Sequence, residues 1–377
     1  MRKRHYGRRS SSWSVGVKIV VTMIVTIFLV LVGMVVYVAA KWNKASYMSA
    51  DMFQEIENNG AVQKIGVNNL DDGSAEVADI PDKYTISYDG KLYEYNENLV
   101  NVLFLGIDVK GEIQEDVIEP HQADSLMLVT MDTVKKEVSV LSIPRDSVTD
   151  IQVYDIYNQY VDTIKSPIAI SHSYGDQSSF SDELTVEAVS NLLYSLPIYR
   201  YAAVDMMAVA DINDSVGGIT LEILEDLTKK NPKMKKGETY TLLGNDATIY
   251  ACWRDTTIDE SPIGRMNRQN QYLKELFKQG KLKTKENVLF PVTVFESIED
   301  KVSTNLSLDE ITYLAKQIVE NDMDITENAS TVPGTMEHIE EGRFEDYPYP
   351  MGYIVDEEAL KNMIIDKYYI EVTEDYY

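Results

Sequence analysis

The chain has 377 residues, of which 44% are apolar and 25% charged, and its formal net charge is −26. This length and apolar content suffice for one large domain or two medium ones with a real core, so disorder is not expected. The acidic surplus excludes nucleic-acid binding through the overall field. The single cysteine, Cys252, excludes an intramolecular disulfide, and the four scattered histidines form no metal-ligand spacing.

The first 40 residues predict a membrane anchor. Residues 1–18 hold six basic and no acidic side chains, and the uncharged run 19–40 follows. As a helix this run is about 33 Å long, enough to cross a bilayer core of about 30 Å. We expect a cytoplasmic basic tail (1–18) and a single transmembrane helix (19–40) in the cell membrane, with the rest extracytoplasmic. A cleaved signal peptide is the alternative, although its apolar core usually has only about 7 to 15 residues.

The exterior part predicts a stalk followed by a domain. Residues 41–377 carry a net charge of −32, so any anionic ligand there needs a local positive cluster. Residues 41–83 are polar and acidic, which is typical of a linker. A hairpin pattern around Asp89-Gly90 marks the start of the domain at residue 84. We place the domain at 84–290 and a C-terminal extension, without visible chemistry, at 291–377.

Three short apolar runs predict strands whose ends carry charged residues. The runs 102–107, 125–131 and 138–143 read as buried strands, the last two joined as a hairpin. Antiparallel pairing then puts Asp124 and Arg145 at one edge of the sheet, and Asp108 ends the first strand. Acidic residues at strand ends are also common turn formers, and a surface ion pair is an alternative interpretation of Arg145 with Asp146.

Arginine is rare and clustered in the exterior part of the chain. It occurs there only at Arg145, Arg200, Arg254, Arg265, Arg268 and Arg343, against 23 lysines. The pattern from 265 to 278 predicts a helix that carries Arg265, Arg268 and Gln269 on one face. Guanidinium groups near a helix start suit a phosphate or carboxylate, and buried ion pairs are the alternative. The lysine run 229–236 reads as a solvated loop.

Other patterns predict alternating helices and strands, which is typical of an α/β sandwich. Helices are expected at 181–193, at 206–212 and at 357–365, with a strand at 219–223. Ser307 and Glu310 form a capping box that opens a further helix.

Several blocks together resemble the LytR-CpsA-Psr family of envelope proteins. They are Asn101–Asp108, Ala123–Ser125, Leu141–Asp146, Val216–Ile219, Leu243–Ala247 and Gly264–Gln269. The resemblance spans residues 84 to 280 in consistent order. It implies a three-layer α-β-α domain with a central mixed sheet behind one transmembrane helix.

The resemblance also implies an activity. Such proteins move a glycopolymer, of teichoic acid or capsule type, from undecaprenyl pyrophosphate to peptidoglycan, with the lipid tail in an apolar groove. By position, Asp108 and Asp124 would bind Mg²⁺ or Mn²⁺. The pyrophosphate would contact Arg145, Arg254, Arg265, Arg268 and Gln269, and the catalytic residues would be Arg145, Asp124 and Arg254.

The sequence departs from the family pattern at three positions. Gln122 and Cys252 stand where the family commonly has arginine, and Pro262 stands where an acidic residue often precedes the Gly-Arg pair. A protein that binds polyprenyl pyrophosphate or envelope partners without transfer, as a scaffold or regulator, is therefore an alternative to the transferase. A simple pyrophosphatase is a third reading.

Overall fold

The computed structural model describes residues 40–53, 67–70, 75–76, 84–108, 121–155, 157–253, 261–325, 330–344 and 347–373. Its strands are β1 (Val67–Asn69), β2 (Ala75–Glu76), β3 (Thr85–Tyr88), β4 (Lys91–Tyr95), β5 (Leu99–Ile107), β6 (Ala123–Asp132), β7 (Glu137–Ile143), β8 (Val148–Tyr154), β9 (Tyr160–Pro167), β10 (Arg200–Asp205), β11 (Ile219–Glu222), β12 (Thr239–Leu242), β13 (Val302–Thr304), β14 (Ser330–Thr331), β15 (Gly334–His338), β16 (Met351–Val355) and β17 (Tyr369–Glu371).

The α-helices are α1 (Ser179–Leu192), α2 (Ala208–Ser215), α3 (Asn245–Cys252), α4 (Ser261–Glu286), α5 (Phe290–Ser297), α6 (Leu308–Glu320) and α7 (Glu357–Tyr368). Short 3-10 helices lie at Ala45–Tyr47, Ala50–Phe53, Ile168–Tyr174 and Glu299–Lys301. The helices predicted from the sequence are confirmed. The capping box of α6 is present, since Ser307 accepts from the Glu310 amide and Glu310 from the Ser307 amide.

A six-stranded mixed sheet forms the centre of the domain, in the order β13-β10-β5-β6-β7-β14. The predicted hairpin is confirmed, because β6 pairs antiparallel with β7 and also with β5. Strand β10 runs parallel to β5 and brings Asp205 beside Ile107. The sheet is therefore mixed, as the family resemblance implied.

Alternate residues of β5 pack on opposite faces of the sheet. Leu103 and Leu105 belong to a cluster that includes apolar side chains of α1 and α7. Val100 and Val102 belong to a second cluster with side chains of α4 and α6. Because most of the strand is buried on both faces, its sequence is largely apolar, with Asn101 as the polar exception, and does not alternate. Helices on both faces make the α-β-α arrangement.

A third apolar cluster supports α4 from the side. It joins the β11–β12 hairpin and α3 to Tyr272 of α4. The predicted hairpin around Asp89 and Gly90 is also confirmed as β3 and β4, and both turn residues have positive φ, at 50° and 68°. Glycine at the second position is the residue that such a turn favours.

The described part of the predicted stalk packs on the domain. Ala45, Ala50 and Phe53 are buried in the cluster under α6, where the Phe53 ring lies 5.5 Å from that of Tyr313. Lys41 and Lys44 both pair with Asp309. Composition favoured a linker here, but three spaced apolar residues are enough to anchor a short segment on a helix.

No helix within the described residues is long and apolar enough to cross a membrane. The predicted transmembrane run 19–40 lies outside those residues, apart from Ala40.

Candidate functional site

Three strand ends meet at one edge of the central sheet. Ile107, at the end of β5, pairs with Ala123 at the start of β6, and Leu126 of β6 pairs with Ile143 at the end of β7. The Asp108 amide donates to the Gln122 carbonyl at 3.3 Å. This register places Asp108, Asp124 and Arg145 at the same edge. Pro144 has no amide hydrogen and ends the pairing just before Arg145.

The Asp124 carboxylate binds two guanidinium groups at this edge. One oxygen pairs with Arg145, and the other lies 3.1 Å from Nη1 of Arg265. Arg265 also donates to the backbone carbonyl of Asp124 at 3.1 Å. The side chains of Arg145, Asp124 and Arg265 are only 14%, 13% and 4% exposed. Two arginines from distant parts of the sequence thus share one partly buried carboxylate.

Arg145 has two more neighbours that fix its orientation. Its Nη2 donates to Oε1 of Gln122 at 2.5 Å, and its Nε lies 3.6 Å from a carboxylate oxygen of Asp146. Gln122 is therefore an acceptor for Arg145. An amide here holds the guanidinium in place where a second cation would repel it.

Asp108 lies close enough to Arg265 to act on its charge. Burial lowers the pKa of the Arg265 guanidinium, while Asp146, Cys252 and Asp108 raise it. The Asp108 carboxylate also acts on Cys252 and on His121. The structure therefore brings Asp108, Asp124, Arg145 and Arg265 to one place, as the sequence predicted.

Gln269 and Arg268 connect the site to α3. Gln269 accepts from the Ser125 hydroxyl at 3.2 Å and donates to the Ala251 carbonyl at 3.0 Å. Arg268 is fully buried; its Nε lies 2.9 Å from Glu225, and it donates to the carbonyls of Tyr250 and Trp253. These contacts fix the end of α3. Direct contact of Arg268 with phosphate stays a prediction, and Arg254 lies outside the described residues.

A narrow cleft opens between these charged groups. It has a volume of about 20 Å³ and is lined by Asp124, Arg145, Asp146, Arg265 and Gln269 together with apolar neighbours such as Met127 and Met336. Its polar wall carries both signs of charge.

A much larger apolar cavity continues along the same elements. Its volume is about 420 Å³. It is lined by Val129, two residues after Met127 in β6, and by Leu273, one helical turn after Gln269 in α4. Apolar side chains of β5, α5 and α6 complete its wall. The sequence pattern alone does not reveal the cavity, because lining a space and filling it need the same apolar spacing. Glu225, the partner of Arg268, was missed too.

The family comparison agrees with this architecture. The LytR_cpsA_psr family model matches residues 62–363. The chain belongs to the LytR-CpsA-Psr family. The family match includes residues 291–363, which contain β13 and β14, the two outermost strands of the central sheet.

Curated relatives are similar over part of their length. The chain is 31% identical over 220 residues to the polyisoprenyl-teichoic acid--peptidoglycan teichoic acid transferase TagV of Bacillus subtilis, covering 56% of this chain and 50% of TagV. It is 29% identical over 216 residues to the TagU transferase of Bacillus licheniformis, covering 57% of this chain and 63% of that protein. The chain thus spans between one half and two thirds of the length of these relatives.

Solved structures of the family share the fold. The crystal structure of Bacillus subtilis TagV matches with a TM-score of 0.53 at 23% identity, over 71% of this chain and 96% of TagV. A structure of TagT bound to LIIa-WTA matches with a TM-score of 0.52 at 19% identity, over 71% and 89% of the two chains. At these identities the likeness establishes the α/β fold with its central mixed sheet.

Cys252 provides a single-residue probe of the site. Burial raises the pKa of its thiol to about 11, although Arg265 and Arg268 lower it. Only the thiolate attacks a disulfide reagent, so at pH 8 we expect the native chain to react at least about a hundredfold more slowly than an ordinary thiol. The check is the rate of labelling by Ellman's reagent from pH 7 to 10, with the urea-unfolded chain as control. A native rate that levels off below pH 9 would contradict this pKa.

Proposed function

We propose that this chain is a membrane-anchored phosphotransferase that moves a teichoic acid or similar glycopolymer from a polyprenyl pyrophosphate carrier to peptidoglycan. The observation that carries the proposal is the position of the Asp124–Arg145–Arg265 cluster at one end of α4, with a large apolar cavity along the same helix. A charged clamp beside an apolar cavity fits a ligand that has a pyrophosphate head and a prenyl tail. The names of the relatives TagV and TagU support the substrate class.

The pyrophosphate would bind where Asp124 now holds the two arginines. Phosphate oxygens accept bidentate hydrogen bonds from guanidinium groups as a carboxylate does, so Arg145 and Arg265 are already oriented for them. A peptidoglycan hydroxyl attacks the phosphorus that bears the sugar and loses its proton to solvent. The bridging P–O bond breaks, and prenyl phosphate leaves with the electron pair. Arg145 stabilises the charge that builds on that leaving group.

The apolar cavity suits the prenyl tail in both chemistry and direction. Helix α4 carries Arg265 near its start and Gly280, Lys281 and Thr284 further along, and the last three line the cavity. The rise of a helix separates Arg265 and Gly280 by about 22 Å. A tail that runs beside α4 from the arginine cluster would bury its length in apolar surroundings, which favours binding.

The start of the described chain lies on the same side of the molecule as this cavity. Trp42 donates to Glu320 of α6 at 3.3 Å, and Lys316 of α6 lies 5.0 Å from the Trp42 ring. Other residues of α6, among them Ile311 and Leu314, line the cavity. The predicted anchor at residues 19–40 would therefore hold the cavity near the bilayer, where a prenyl carrier resides.

Two carboxylates are available for a divalent cation. Asp108 and Asp124 belong to adjacent strand ends, and Mg²⁺ commonly binds one or two carboxylates together with phosphate oxygens and water. The donor set fits Mg²⁺ or Mn²⁺, and Asp124 would be released from its arginines when phosphate takes them. The cation would neutralise charge on the pyrophosphate.

Arg145→Ala tests the clamp. We expect transfer to fall about a thousandfold, because the leaving phosphate loses a positioned guanidinium. The assay follows glycan transfer from a polyprenyl pyrophosphate donor to peptidoglycan by the full-length chain in detergent.

Arg200→Ala is the matched control, since Arg200 pairs with Glu310 at 2.8 Å with a similar exposure of 12% but outside the cleft. We expect it to keep the rate within about twofold. Equal rates for both variants would contradict the clamp.

The same assay separates the alternative functions. Wild-type binding of the donor without turnover would favour the scaffold function, which the replacement of two family arginines by Gln122 and Cys252 suggests. Release of phosphate to water without an acceptor would indicate a pyrophosphatase.

Asp108→Asn tests the cation site. In the presence of polyprenyl pyrophosphate we expect the full-length chain to bind Mn²⁺, and the substitution to weaken that binding about tenfold because a charged ligand becomes neutral. Binding is read from the loss of the free Mn²⁺ EPR signal. Asp150→Asn, which changes an exposed carboxylate paired with Lys165, is the control. Mn²⁺ affinity that is equal in all three proteins would refute the assignment.

Gly280→Phe tests the tail cavity. A Cβ at Gly280 meets no atom within 4 Å, so a phenyl ring has room to enter the cavity from α4. We expect long prenyl pyrophosphates to bind about tenfold more weakly, while geranyl pyrophosphate, which does not reach that far, keeps its affinity. Gly280→Ala is the control and should stabilise the helix by about 1 kcal/mol. An equal loss for short and long tails would exclude this path.

A further inference from the structure

The loop between β15 and β16 is attached directly to the candidate site. The Ile339 amide donates to the Pro350 carbonyl at 3.0 Å and closes the loop at its base. The Tyr353 amide of β16 donates to the Asp146 carbonyl at 2.8 Å, next to Arg145. Met336 of β15 lines the charged cleft. The hairpin is therefore fixed to the backbone that presents Arg145, and its loop lies at the rim of the cleft.

This loop carries a continuous row of aromatic rings. The ring of Phe344 lies 5.6 Å from that of Tyr347, which lies 5.4 Å from that of Tyr349. At the start of the row the Arg343 guanidinium lies 5.5 Å from the Phe344 ring and pairs with Glu337 at 2.8 Å. Residues 345 and 346 lie outside the described part of the chain. We call Phe344, Tyr347 and Tyr349 the aromatic row.

The local sequence favours a preformed row. Tyr347 and Tyr349 each precede a proline, in the order Tyr-Pro-Tyr-Pro. A residue before proline is restricted to extended conformations, and side chains two residues apart in an extended chain point the same way. The Tyr347 hydroxyl also donates to the Met351 carbonyl at 3.3 Å. A ligand would therefore order little of this surface on binding, which lowers the entropic cost.

The outer end of the row is open and lies beside the arginine clamp. Tyr349 is 36% exposed. Burial and the nearby Tyr174 raise the pKa of its phenol, while Arg145 lowers it. Burial, Asp146 and Tyr349 raise the pKa of Tyr347 to about 12. Both phenols keep their proton at neutral pH, so each presents an apolar face together with an O–H group.

We propose that Tyr347 and Tyr349 form a carbohydrate subsite that seats one pyranose ring next to the phosphorus held by Arg145. The apolar C–H face of a pyranose packs on an aromatic face, and its hydroxyls bond to groups at the edge, such as a phenol. The row carries no formal charge, which suits a sugar and not a second phosphate. This proposal rests on the proposed function, because a glycan must lie on one side of the reacting phosphate or the other.

The same chemistry has two sources in such a reaction. The pyranose belongs either to the glycan of the donor lipid or to the peptidoglycan strand that accepts it. Three probes separate them: a bare prenyl pyrophosphate, the same lipid carrying one N-acetylglucosamine, and free chitotetraose as a peptidoglycan-like glycan. Affinities are measured by titration calorimetry on the full-length chain in detergent.

Tyr349→Ala should weaken carbohydrate binding about tenfold, whereas Tyr349→Phe, which keeps the ring, should retain most of it. Tyr157→Ala is the control, since Tyr157 is 77% exposed on the distant β8–β9 connection. A loss confined to chitotetraose places the acceptor in the subsite. A loss confined to the sugar-bearing lipid places the donor there, and both results support the proposal.

Wild-type affinity of Tyr349→Ala and Tyr347→Ala for both carbohydrate probes would overturn the subsite, as would a loss that Tyr157→Ala shares. The bare lipid keeps the two proposals apart. Binding of the bare lipid tests the arginine clamp, because it depends on Arg145. We expect Tyr349→Ala to leave it unchanged, so the clamp and the subsite can be refuted independently.

Discussion

The site depends on one carboxylate that holds two guanidinium groups. Asp124 joins Arg145, at the end of β7, to Arg265, in α4, and so ties the edge of the sheet to the helix that packs across it. Charges this poorly exposed are costly to desolvate, and removing one partner leaves the others uncompensated. In an exterior part with a net charge of −32, Arg145 and Arg265 bring two positive charges to this site, and the carboxylates of Asp124 and Asp146 offset them.

Helix α4 carries charged and polar site residues at its start and cavity-lining residues further along. Its first turns carry Arg265 and Gln269 toward the sheet edge, and its later turns line the apolar cavity. A rigid helix fixes the distance between a charged head and an apolar tail better than a loop would. The β11–β12 hairpin and α3 hold the other face of α4 through Tyr272 and the buried Arg268. The fold around α4 therefore keeps the charged site and the apolar cavity at a fixed distance from each other.

The sequence predicted the sheet edge well because the signals there are local. A hairpin sets its own register, so Asp124 and Arg145 had to come together once β6 and β7 were recognised. The partner of Arg268 could not be predicted, since Glu225 lies 43 residues away in a loop without a pattern. The aromatic row was equally invisible: its tyrosines read as part of an acidic, chemically silent extension until β16 was seen to pair with the backbone at Asp146 and Ser147.

Gln122 and Cys252 lie beside the two arginines of the site and carry no charge of their own. Gln122 accepts from Arg145 and so orients the guanidinium without adding charge, and the partly buried Cys252 thiol has a raised pKa and stays neutral beside Arg265. Neither residue cancels the positive charge of Arg145 and Arg265, and neither adds to it. Under the proposed function, a site with two arginines would leave part of the pyrophosphate charge to a bound cation, and more of the binding free energy would come from the apolar cavity. Retention of the carrier by this chain should accordingly depend more on its tail than on its head.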